Sequence, residues 1–345
     1  MTSNPLVYVI VLNYNGISYL SPCLSSIEKQ TYTNYKTIVF DNASTEDSAL
    51  EFILSQFPET KIFKGKKNFG FAKANNLAIQ FALKNKADYV FLVNNDTELE
   101  ADLLEKLVST AENDASVGIT APVILDLKDK TSVQEMGMAI DRFGYPLAIK
   151  EPAAKHFCFF VSGCAMLIRS SLFGKIGFFD EKYFMFAEDL DACWRARLVG
   201  YKTVLSEDAH IYHAGGGSIS GGVIKGSSYT TNAKRVFLRE KNTIRTLIKN
   251  YDTYNMISVV PLYVLLLLFE AFFWLCVLKP DISGKILKAI LWNLSVLPDT
   301  FRARALVQGM RMVGDSEVVS RMRGGYDKLN VFRLVGIPKF VNHEN

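Results

Sequence analysis

The sequence predicts an α/β protein with a mostly parallel central sheet, followed by a helical C-terminal region of different character. Before about residue 250, short apolar runs typical of strands alternate with helical patterns, as in βαβ units. After it, a long apolar run lies between basic clusters. The chain has 345 residues, 49% of them hydrophobic, which is enough for two domains. We expect these to be residues 1–250 and 251–345.

The alternation is clearest in the first 125 residues. Apolar, β-branched runs predict strands at 6–12, 36–41, 60–63, 89–93 and 117–123, and amphipathic patterns predict helices at 17–30, 46–56, 71–85 and 100–112. The first run follows an N-terminus without a basic region and ends in Asn13, so it predicts a strand and not a signal peptide.

Composition excludes several classes of protein. The formal charge of +4 is small for this length, and no long basic run precedes residue 230, which argues against a nucleic-acid binder. The five cysteines are scattered and form no CxxC pair, which fits a reducing compartment and disfavours a disulfide framework or zinc site. The glycine patterns of the Rossmann dinucleotide site and of the P-loop do not occur.

The run at 89–93 has the composition of a strand buried on both faces, and it ends abruptly in Asn94, Asn95 and Asp96. In an open α/β sheet, ligands bind beyond the carboxyl ends of the strands. Oxygen ligands suit Mg²⁺ or Mn²⁺ better than Zn²⁺, so Asp96 is a candidate ligand for a divalent cation beside a phosphate. The alternative is a polar turn leading into an acidic helix N-terminus.

Polar side chains also follow the first two predicted strands. Asn13 and Asn15 come after the first, and Asp41 and Asn42 come after the second. Because the carboxyl ends of such strands can lie side by side, these residues would line a nucleotide-sized crevice. Asp41 would then accept a hydrogen bond from a base N–H group or a ribose hydroxyl. The alternative is ordinary turn and helix-cap chemistry.

The third predicted helix begins beside Gly70, between Asn68 and the pair Asn75 and Asn76. Glycine at a helix start brings backbone N–H groups close to a phosphate or sugar. Asparagine is a poor helix former, so Asn75 and Asn76 need a reason to lie one turn inside the helix.

Three carboxylates lie within four consecutive positions at a predicted helix start, after a run of aromatic residues: Glu188, Asp189 and Asp191. Their repulsion requires an offsetting positive charge: the helix dipole, Arg195 or a metal ion. A carboxylate here, shielded by aromatic rings, is suited to act as general base for an acceptor hydroxyl. The alternative is a solvated acidic first turn that caps the helix.

His213 is one of four histidines; it follows an apolar strand and precedes the glycines at 215–217. In that place its imidazole is a candidate metal ligand beside a mobile loop. The alternative is a structural histidine.

Taken together and in order, six segments resemble the inverting family 2 glycosyltransferases of the GT-A fold, and within them the rhamnosyltransferase-like branch. The resemblance covers residues 6–245, and the segments are VIVLNYNG, VFDNAST, NFGFAKANN, FLVNND, FMFAEDLDACWR and IYHAGGGS. It implies a nucleoside-diphosphate sugar donor, a divalent metal (Mg²⁺ or Mn²⁺) on the diphosphate, and direct displacement at the anomeric carbon. It also implies a dTDP-rhamnose preference and a role in cell-surface polysaccharide or glycoconjugate synthesis.

The resemblance carries roles to single positions. Asp96 matches the last residue of the family's DxD metal motif, and His213 matches a histidine that completes the metal shell. Asp189 matches the catalytic base, with Glu188 as its neighbour and alternate. The implied nucleotide-sugar-binding residues are Asn13, Asn15, Asp41, Asn42, Asn68, Gly70, Asn75, Asn95 and Gly163.

The chain departs from the family at Asn94, where the first aspartate of the DxD motif is expected. The change removes one negative charge, so we expect weaker metal binding. A nucleotidyltransferase is one other interpretation, disfavoured because the turn after the first strand has no nearby Lys or Arg. Another is a catalytically silent, membrane-attached scaffold. This interpretation is disfavoured because Asp41, Asp96, Asp189 and His213 occur together, and a silent site has no chemical need for all four.

The run at 256–278 is long enough to cross a bilayer, although Pro261 and Glu270 count against a simple span. Basic residues flank it on both sides, so a single crossing would leave one basic cluster on the non-cytoplasmic face. We therefore expect peripheral or re-entrant attachment at the cytoplasmic face of the cell membrane, or a hairpin with residues 286–297. A single-pass span and a buried core helix are the alternatives.

The expected partners follow from these features. They are a nucleoside-diphosphate sugar donor, a glycan or polyprenyl-linked acceptor, and membrane lipids, whose anionic head groups attract basic segments. We expect no nucleic acid among them.

Overall fold

The computed structural model describes residues 4–45, 47–152, 158–215, 224–225 and 228–341. The chain forms two compact units, residues 1–138 with 148–215 and residues 139–147 with 216–345. The domain boundary expected at residue 250 from composition stays a prediction; by packing, residues 216–250 group with the C-terminal helices.

The first unit is an α/β sandwich of one large sheet and its connecting helices. Its strands, together with the hairpin that leads into residues 139–147, are β1 (Val7–Asn13), β2 (Tyr35–Asp41), β3 (Lys61–Lys64), β4 (Tyr89–Asn94), β5 (Thr97–Leu99), β6 (Val117–Asp126), β7 (Val133–Glu135), β8 (Met138–Ile140), β9 (Pro146–Ala148), β10 (Ala165–Arg169) and β11 (Lys202–His213). Its helices are α1 (Ile17–Glu28), α2 (Asp47–Ser55), α3 (Gly70–Lys84), α4 (Leu103–Glu112), α5 (Ser170–Ile176) and α6 (Glu188–Leu198).

In the described part of the chain, the large sheet has the strand order β3-β2-β1-β4-β10-β6-β11-β5, with β7 beside β6. Strands β1 to β4 are parallel, β11 is parallel to β6, and β10 is antiparallel to both of its neighbours. The predicted α/β class is therefore confirmed. Because β10 begins where β4 ends, the loop at 162–164 lies at the carboxyl edge of the parallel strands, where ligands bind in such sheets.

The core explains why the hydrophobic patterns predicted these elements so closely. Val7, Val9 and Val11 of β1 are fully buried, as expected for a central parallel strand covered on both faces. Helix α4 presents Leu104 and Leu107 to the same core. Truncating such a leucine to alanine costs about 2–5 kcal/mol.

The second unit is mainly helical. Its elements are β12 (Ile224–Lys225), β13 (Ser228–Thr231), α7 (Ala233–Asn250), α8 (Thr253–Cys276), α9 (Pro280–Ser295), α10 (Leu297–Met310), α11 (Asp315–Ser320), α12 (Asp327–Val335) and β14 (Lys339–Phe340). Helix α7 packs against α8, α9 and α10. Side chains cap the first two helices: Asn232 accepts from the Arg235 N–H at 2.8 Å, and Asp252 accepts from the Asn255 N–H at 2.7 Å.

Helix α8 contains most of the predicted apolar run. Among the described residues it is the one helix that is long and apolar enough to cross a membrane. One face, including Val259 and Tyr263, is buried within the unit, whereas Phe269 and Phe272 on the other are 64% and 65% exposed. Helices α8 and α9 pack against each other, as in the hairpin that the sequence allowed.

Candidate active site

Side chains at the ends of β1, β2 and β4 form one hydrogen-bonded cluster. The Asn13 amide donates to Asp41 Oδ1 at 2.9 Å, and the Asn95 amide donates to Asn13 Oδ1 at 2.7 Å. These residues follow three neighbouring parallel strands, so the sheet alone brings them together. The structure therefore brings these predicted residues together, and the nucleotide-binding crevice itself stays a prediction.

Asp41 is 1% exposed, and its carboxylate is occupied by the protein. Besides Asn13, the Ser44 hydroxyl donates to Oδ1 at 2.6 Å and the Ser44 N–H donates to Oδ2 at 3.1 Å. The exposed side chain of this cluster is that of Asn15, whose Oδ1 accepts from the Thr45 N–H at 2.9 Å. Direct contact of Asp41 with a nucleoside stays a prediction.

The start of α3 is tied to two other parts of the first unit. The Asn42 amide donates to Asn68 Oδ1 at 3.0 Å. The Phe71 N–H donates to the Phe184 carbonyl at 2.6 Å. Gly70 has a φ of +76°, and a Cβ atom there would lie 2.3 Å from that carbonyl. Close packing against residue 184 therefore accounts for this glycine in the present conformation.

The two asparagines inside α3 also have structural partners. The Asn75 amide donates to the Phe71 carbonyl one turn earlier. Asn76 makes a pair of hydrogen bonds with the backbone of Phe179, donating at 2.9 Å and accepting at 3.0 Å. Asn76 thus ties α3 to the segment that leads to the three carboxylates.

That segment reaches α6 through a strained turn. Phe184, Phe186 and Ala187 have φ values of 67°, 72° and 67°, in the left-handed backbone region that residues other than glycine rarely adopt. Each such residue costs of order 1–3 kcal/mol, and strain of this kind is concentrated at functional sites. The bond from Phe71 to the Phe184 carbonyl holds the turn in place.

The carboxylates at the start of α6 have different surroundings. Asp191 is buried in an ion pair with Arg195, at 2.9 Å, so Arg195, one of the three offsetting charges considered from the sequence, pairs with this carboxylate. Glu188 is buried as well. Asp189 Oδ2 accepts from the Gly163 N–H at 3.0 Å. Burial raises the pKa of Asp189, although its backbone hydrogen bonds act in the opposite direction.

A fourth carboxylate, Glu135 of β7, was missed by the sequence analysis. Its Oε1 accepts from the Ser162 N–H at 3.2 Å, so two consecutive backbone amides hold Glu135 and Asp189. Burial raises the pKa of Glu135 to about 7. No local pattern distinguishes this glutamate, because only the pairing of β7 with β6 carries it into the site.

Asp96 and His213 meet at the same edge of the sheet, as the sequence predicted, with 3.3 Å between Asp96 Oδ2 and His213 Nε2. His213 Nδ1 lies 3.0 Å from Gln134 Oε1, which orients the ring with Nε2 toward the carboxylate. Burial opposes a charge on His213, but Cys164 and Asp96 outweigh it and raise its pKa to about 11. Gly216, Gly217 and Ser218, where the sequence analysis expected a mobile loop, lie outside the described residues.

The donors at this position fit a divalent cation only in part. Asp96 is 7% exposed and offers carboxylate oxygens, and His213 offers an imidazole nitrogen. Within the described residues, no group of three or more histidine, cysteine, aspartate or glutamate side chains is arranged to hold a metal. A cation here would need further ligands from water or from a bound phosphate.

Comparison with known proteins gives a consistent result. Residues 8–177 match the family model described as "Glycosyl transferase family 2". The chain is 25% identical, over 232 residues, to the N-acetylglucosaminyl-diphospho-decaprenol L-rhamnosyltransferase of Mycobacterium tuberculosis, covering 59% of this chain and 75% of that protein. It is 26% identical, over 224 residues, to the rhamnosyltransferase WbbL of Escherichia coli, covering 60% and 83%.

The lengths of the relatives differ widely. The chain spans only 28% of the length of one relative, the uncharacterized protein y4gI of Sinorhizobium fredii, to which it is 26% identical over 270 residues.

A solved structure shares the fold. The mannosyltransferase PcManGT of Pyrobaculum calidifontis, in complex with GDP-Man and Mn²⁺, superposes with a TM-score of 0.53 at 17% identity, covering 93% of this chain and 85% of that one. The GT-A fold implied by the six sequence segments is confirmed.

Proposed function

We propose that this chain is a family 2 glycosyltransferase similar to rhamnosyltransferases, and that it moves a rhamnose from a nucleoside-diphosphate sugar to a hydroxyl of a polyprenyl-linked glycan. The relative from Mycobacterium tuberculosis is named for a decaprenol-linked acceptor, which supports this acceptor class. The observation that carries the proposal is the position of Asp189. It is partly exposed, held on the Gly163 N–H, and has a raised pKa at the ligand-binding edge of the sheet.

Asp189 acts as general base in this scheme. Its carboxylate takes the proton of the acceptor hydroxyl while that oxygen forms a bond to the anomeric carbon. The bond from this carbon to the diphosphate breaks with its electron pair, and the nucleoside diphosphate leaves. A carboxylate whose pKa is raised by burial is a stronger base than an ordinary aspartate, and the Gly163 N–H keeps it oriented.

The donor would lie over the ends of β1, β2 and β4. Asn15 and Asn95 offer side-chain amides for the nucleoside. Buried Asn13 accepts from the Asn95 amide and donates to Asp41, so these two residues hold Asn95 in place from below. Asp96 and His213 would hold a divalent cation, Mg²⁺ or Mn²⁺. Such a cation would offset the charge that develops on the leaving diphosphate.

The second unit would rest on the cytoplasmic face of the membrane. The exposed face of α8 carries large apolar side chains, among them Ile257, Phe269 and Phe272. The opposite face packs on α7, in which Glu240 and Arg245 are buried. Charged neighbours of this kind suit a helix lying in the interface better than one surrounded by lipid.

The proposal is tested by release of nucleoside diphosphate from detergent-purified protein, with a panel of nucleotide sugars that includes dTDP-rhamnose. The acceptor is a short-chain analogue of N-acetylglucosaminyl-diphospho-polyprenol. Asp189→Asn keeps an oxygen for the Gly163 N–H but removes the base, so we expect the rate to fall by about 10² to 10⁴ with unchanged donor binding.

The matched control is Glu181→Gln, which alters an exposed carboxylate of the same segment. Acceptor-dependent release by wild type and control, lost in Asp189→Asn, supports the assignment. Full activity of Asp189→Asn would remove Asp189 as the base. No release from any donor would favour the silent scaffold.

A further inference from the structure

Glu135 lies on a strand whose regular pairing is interrupted beside it. Glu135 is opposite Ile124 of β6. Val133 is opposite the next residue of β6, so Gln134 is an extra residue on β7. A bulge of this kind redirects the neighbouring side chains, and bulges are common next to active sites. It allows two consecutive residues, which a regular strand sends to opposite faces, to take part in one site.

A series of contacts joins His213 to Asp189, and Glu135 is in the middle of it. Gln134 donates to the His213 carbonyl at 2.9 Å, and its Oε1 lies 3.0 Å from His213 Nδ1. At the next residue, Glu135 Oε1 accepts from the Ser162 N–H at 3.2 Å. The backbone N–H that follows donates to Asp189 Oδ2 at 3.0 Å. Glu135 is therefore connected to the candidate metal ligand on one side and to the candidate base on the other.

The carboxyl of Glu135 has no cation to balance it. Among the described residues, no lysine or arginine forms an ion pair with Glu135. Burial is the main cause of its raised pKa; the charge of Asp189 adds to the increase, and His213 opposes it. Ionising this carboxyl therefore costs the folded protein stability, which indicates a role other than folding.

The proposed reaction brings the transferred sugar to this carboxyl. In a direct displacement, the acceptor oxygen approaches the anomeric carbon from one side and the diphosphate leaves from the other. Asp189 serves the incoming oxygen, and Asp96 and His213 serve the leaving diphosphate. The sugar ring lies between these groups, as Glu135 does. A half-buried carboxylate in this position is suited to accept a hydrogen bond from a sugar hydroxyl.

We propose that Glu135 is a specificity-determining residue, which accepts a hydrogen bond from the hydroxyl next to the anomeric carbon of the transferred sugar. This hydroxyl is the one closest to the reacting bond. In glycoside hydrolysis, hydrogen bonds to it strengthen in the transition state. The inference rests on the proposed function and deepens it, because it adds to the base Asp189 a second carboxylate that selects the sugar.

Titration calorimetry on the full-length protein, with Mn²⁺ present, separates the sugar from the rest of the donor. The three ligands are dTDP-rhamnose, its 2-deoxy analogue and dTDP. We expect Glu135→Ala to weaken binding of dTDP-rhamnose about tenfold, because a hydrogen bond to a charged group is lost. It should change binding of the other two ligands less than about twofold, since neither has the hydroxyl.

Two further variants complete the series. Glu135→Gln keeps an oxygen that can accept from the hydroxyl, so it should recover part of the affinity for dTDP-rhamnose. Glu151→Ala removes an exposed carboxylate and should bind all three ligands as wild type does. Thermal midpoints of the variants show whether each is folded. Equal weakening of all three ligands by Glu135→Ala would overturn the proposal, because Glu135 would then act only through the structure of the site.

Other results would overturn the proposal for different reasons. If Glu135→Ala weakened dTDP-rhamnose and the 2-deoxy analogue by the same factor, this hydroxyl would not be the partner. If it changed only the KM for the acceptor, Glu135 would belong to the acceptor site.

Release of nucleoside diphosphate is measured on the same preparations, so that the two proposals can fail separately. Normal release and unchanged dTDP-rhamnose binding in Glu135→Ala would overturn this inference and leave the transferase intact. Binding of dTDP-rhamnose that depends on Glu135, without release by wild type, would overturn the transferase and leave the sugar contact. Wild type that does not bind dTDP-rhamnose would overturn both.

Discussion

Replacing Glu135 by glutamine should change how the stability of the protein depends on pH. In the folded protein, burial raises the pKa of Glu135 from its ordinary value of 4.5 to about 7. Below pH 4.5 the carboxyl is protonated in both folded and unfolded chains. Between pH 4.5 and pH 7 the unfolded chain loses its proton first, so the free energy of unfolding falls as pH rises through this window.

The size of the effect follows from the same two values. Each tenfold change in proton affinity is worth about 1.36 kcal/mol, so the difference between 4.5 and about 7 corresponds to about 3 kcal/mol above pH 7. Glu135 is partly exposed in the cleft, and water reduces this figure. We expect Glu135→Gln to be more stable than wild type by about 1–3 kcal/mol at pH 8 and nearly equal at pH 4.5.

Urea unfolding of the full-length protein, followed by circular dichroism between pH 4.5 and pH 8, measures this difference. Glutamine keeps an oxygen that can accept from the Ser162 N–H, so the variant removes the charge and not the hydrogen bond. Glu151→Gln, at an exposed position, is the control and should follow wild type. If the difference in stability between Glu135→Gln and wild type were the same at every pH, then burial would not raise the pKa of the Glu135 carboxyl.

Three other changes test further parts of the site. Gly70→Ala should lower the free energy of unfolding by more than about 1 kcal/mol and reduce activity, since its Cβ would meet the Phe184 carbonyl at 2.3 Å; Gly174→Ala, with open space around it, is the control in both assays. Arg195→Met should cost about 3–5 kcal/mol in urea unfolding, because it leaves Asp191 charged and buried. Asn94→Asp adds a carboxylate, so it should lower the concentration of Mn²⁺ needed for half-maximal nucleoside diphosphate release. A gain of about 1.4 kcal/mol in metal binding would lower it about tenfold. If this concentration did not change, residue 94 would not contribute to metal binding.

Much of the first unit could be predicted because its patterns are local. The apolar runs that end in Asn13, Asp41 and Asn94 form strands of a parallel sheet, as their composition predicted. Such runs form strands because both faces of a parallel sheet are buried. Parallel strands share one carboxyl edge, so the meeting of their terminal side chains followed from the fold class. Asp96 lies in the turn between β4 and β5, and His213 ends β11 opposite Thr97 of β5, so their contact depends on an antiparallel strand pair.

Other parts of the site depend on contacts between distant segments. The contact of Gly70 with a phosphate or sugar stays a prediction; in the folded chain its missing side chain makes room for the Phe184 carbonyl. The two helical asparagines proved to hold Phe71 and Phe179. These partners could not be inferred, since no periodicity specifies which loop reaches a helix end.

Residue patterns alone predicted most strands and helices of the first 125 residues, the polar strand ends, the acidic start of α6 and the apolar character of α8. Hydrophobic periodicity and local backbone preference act within a few residues, and they are written in the chain directly. The packed fold was needed to show that the Ser162 and Gly163 N–H groups bind Glu135 and Asp189, and that α8 and α12 line a cavity with charged groups. The first feature arises where antiparallel β10 pairs with β4, and the second where the C-terminal helices pack on one another. Both depend on residues that are far apart in sequence.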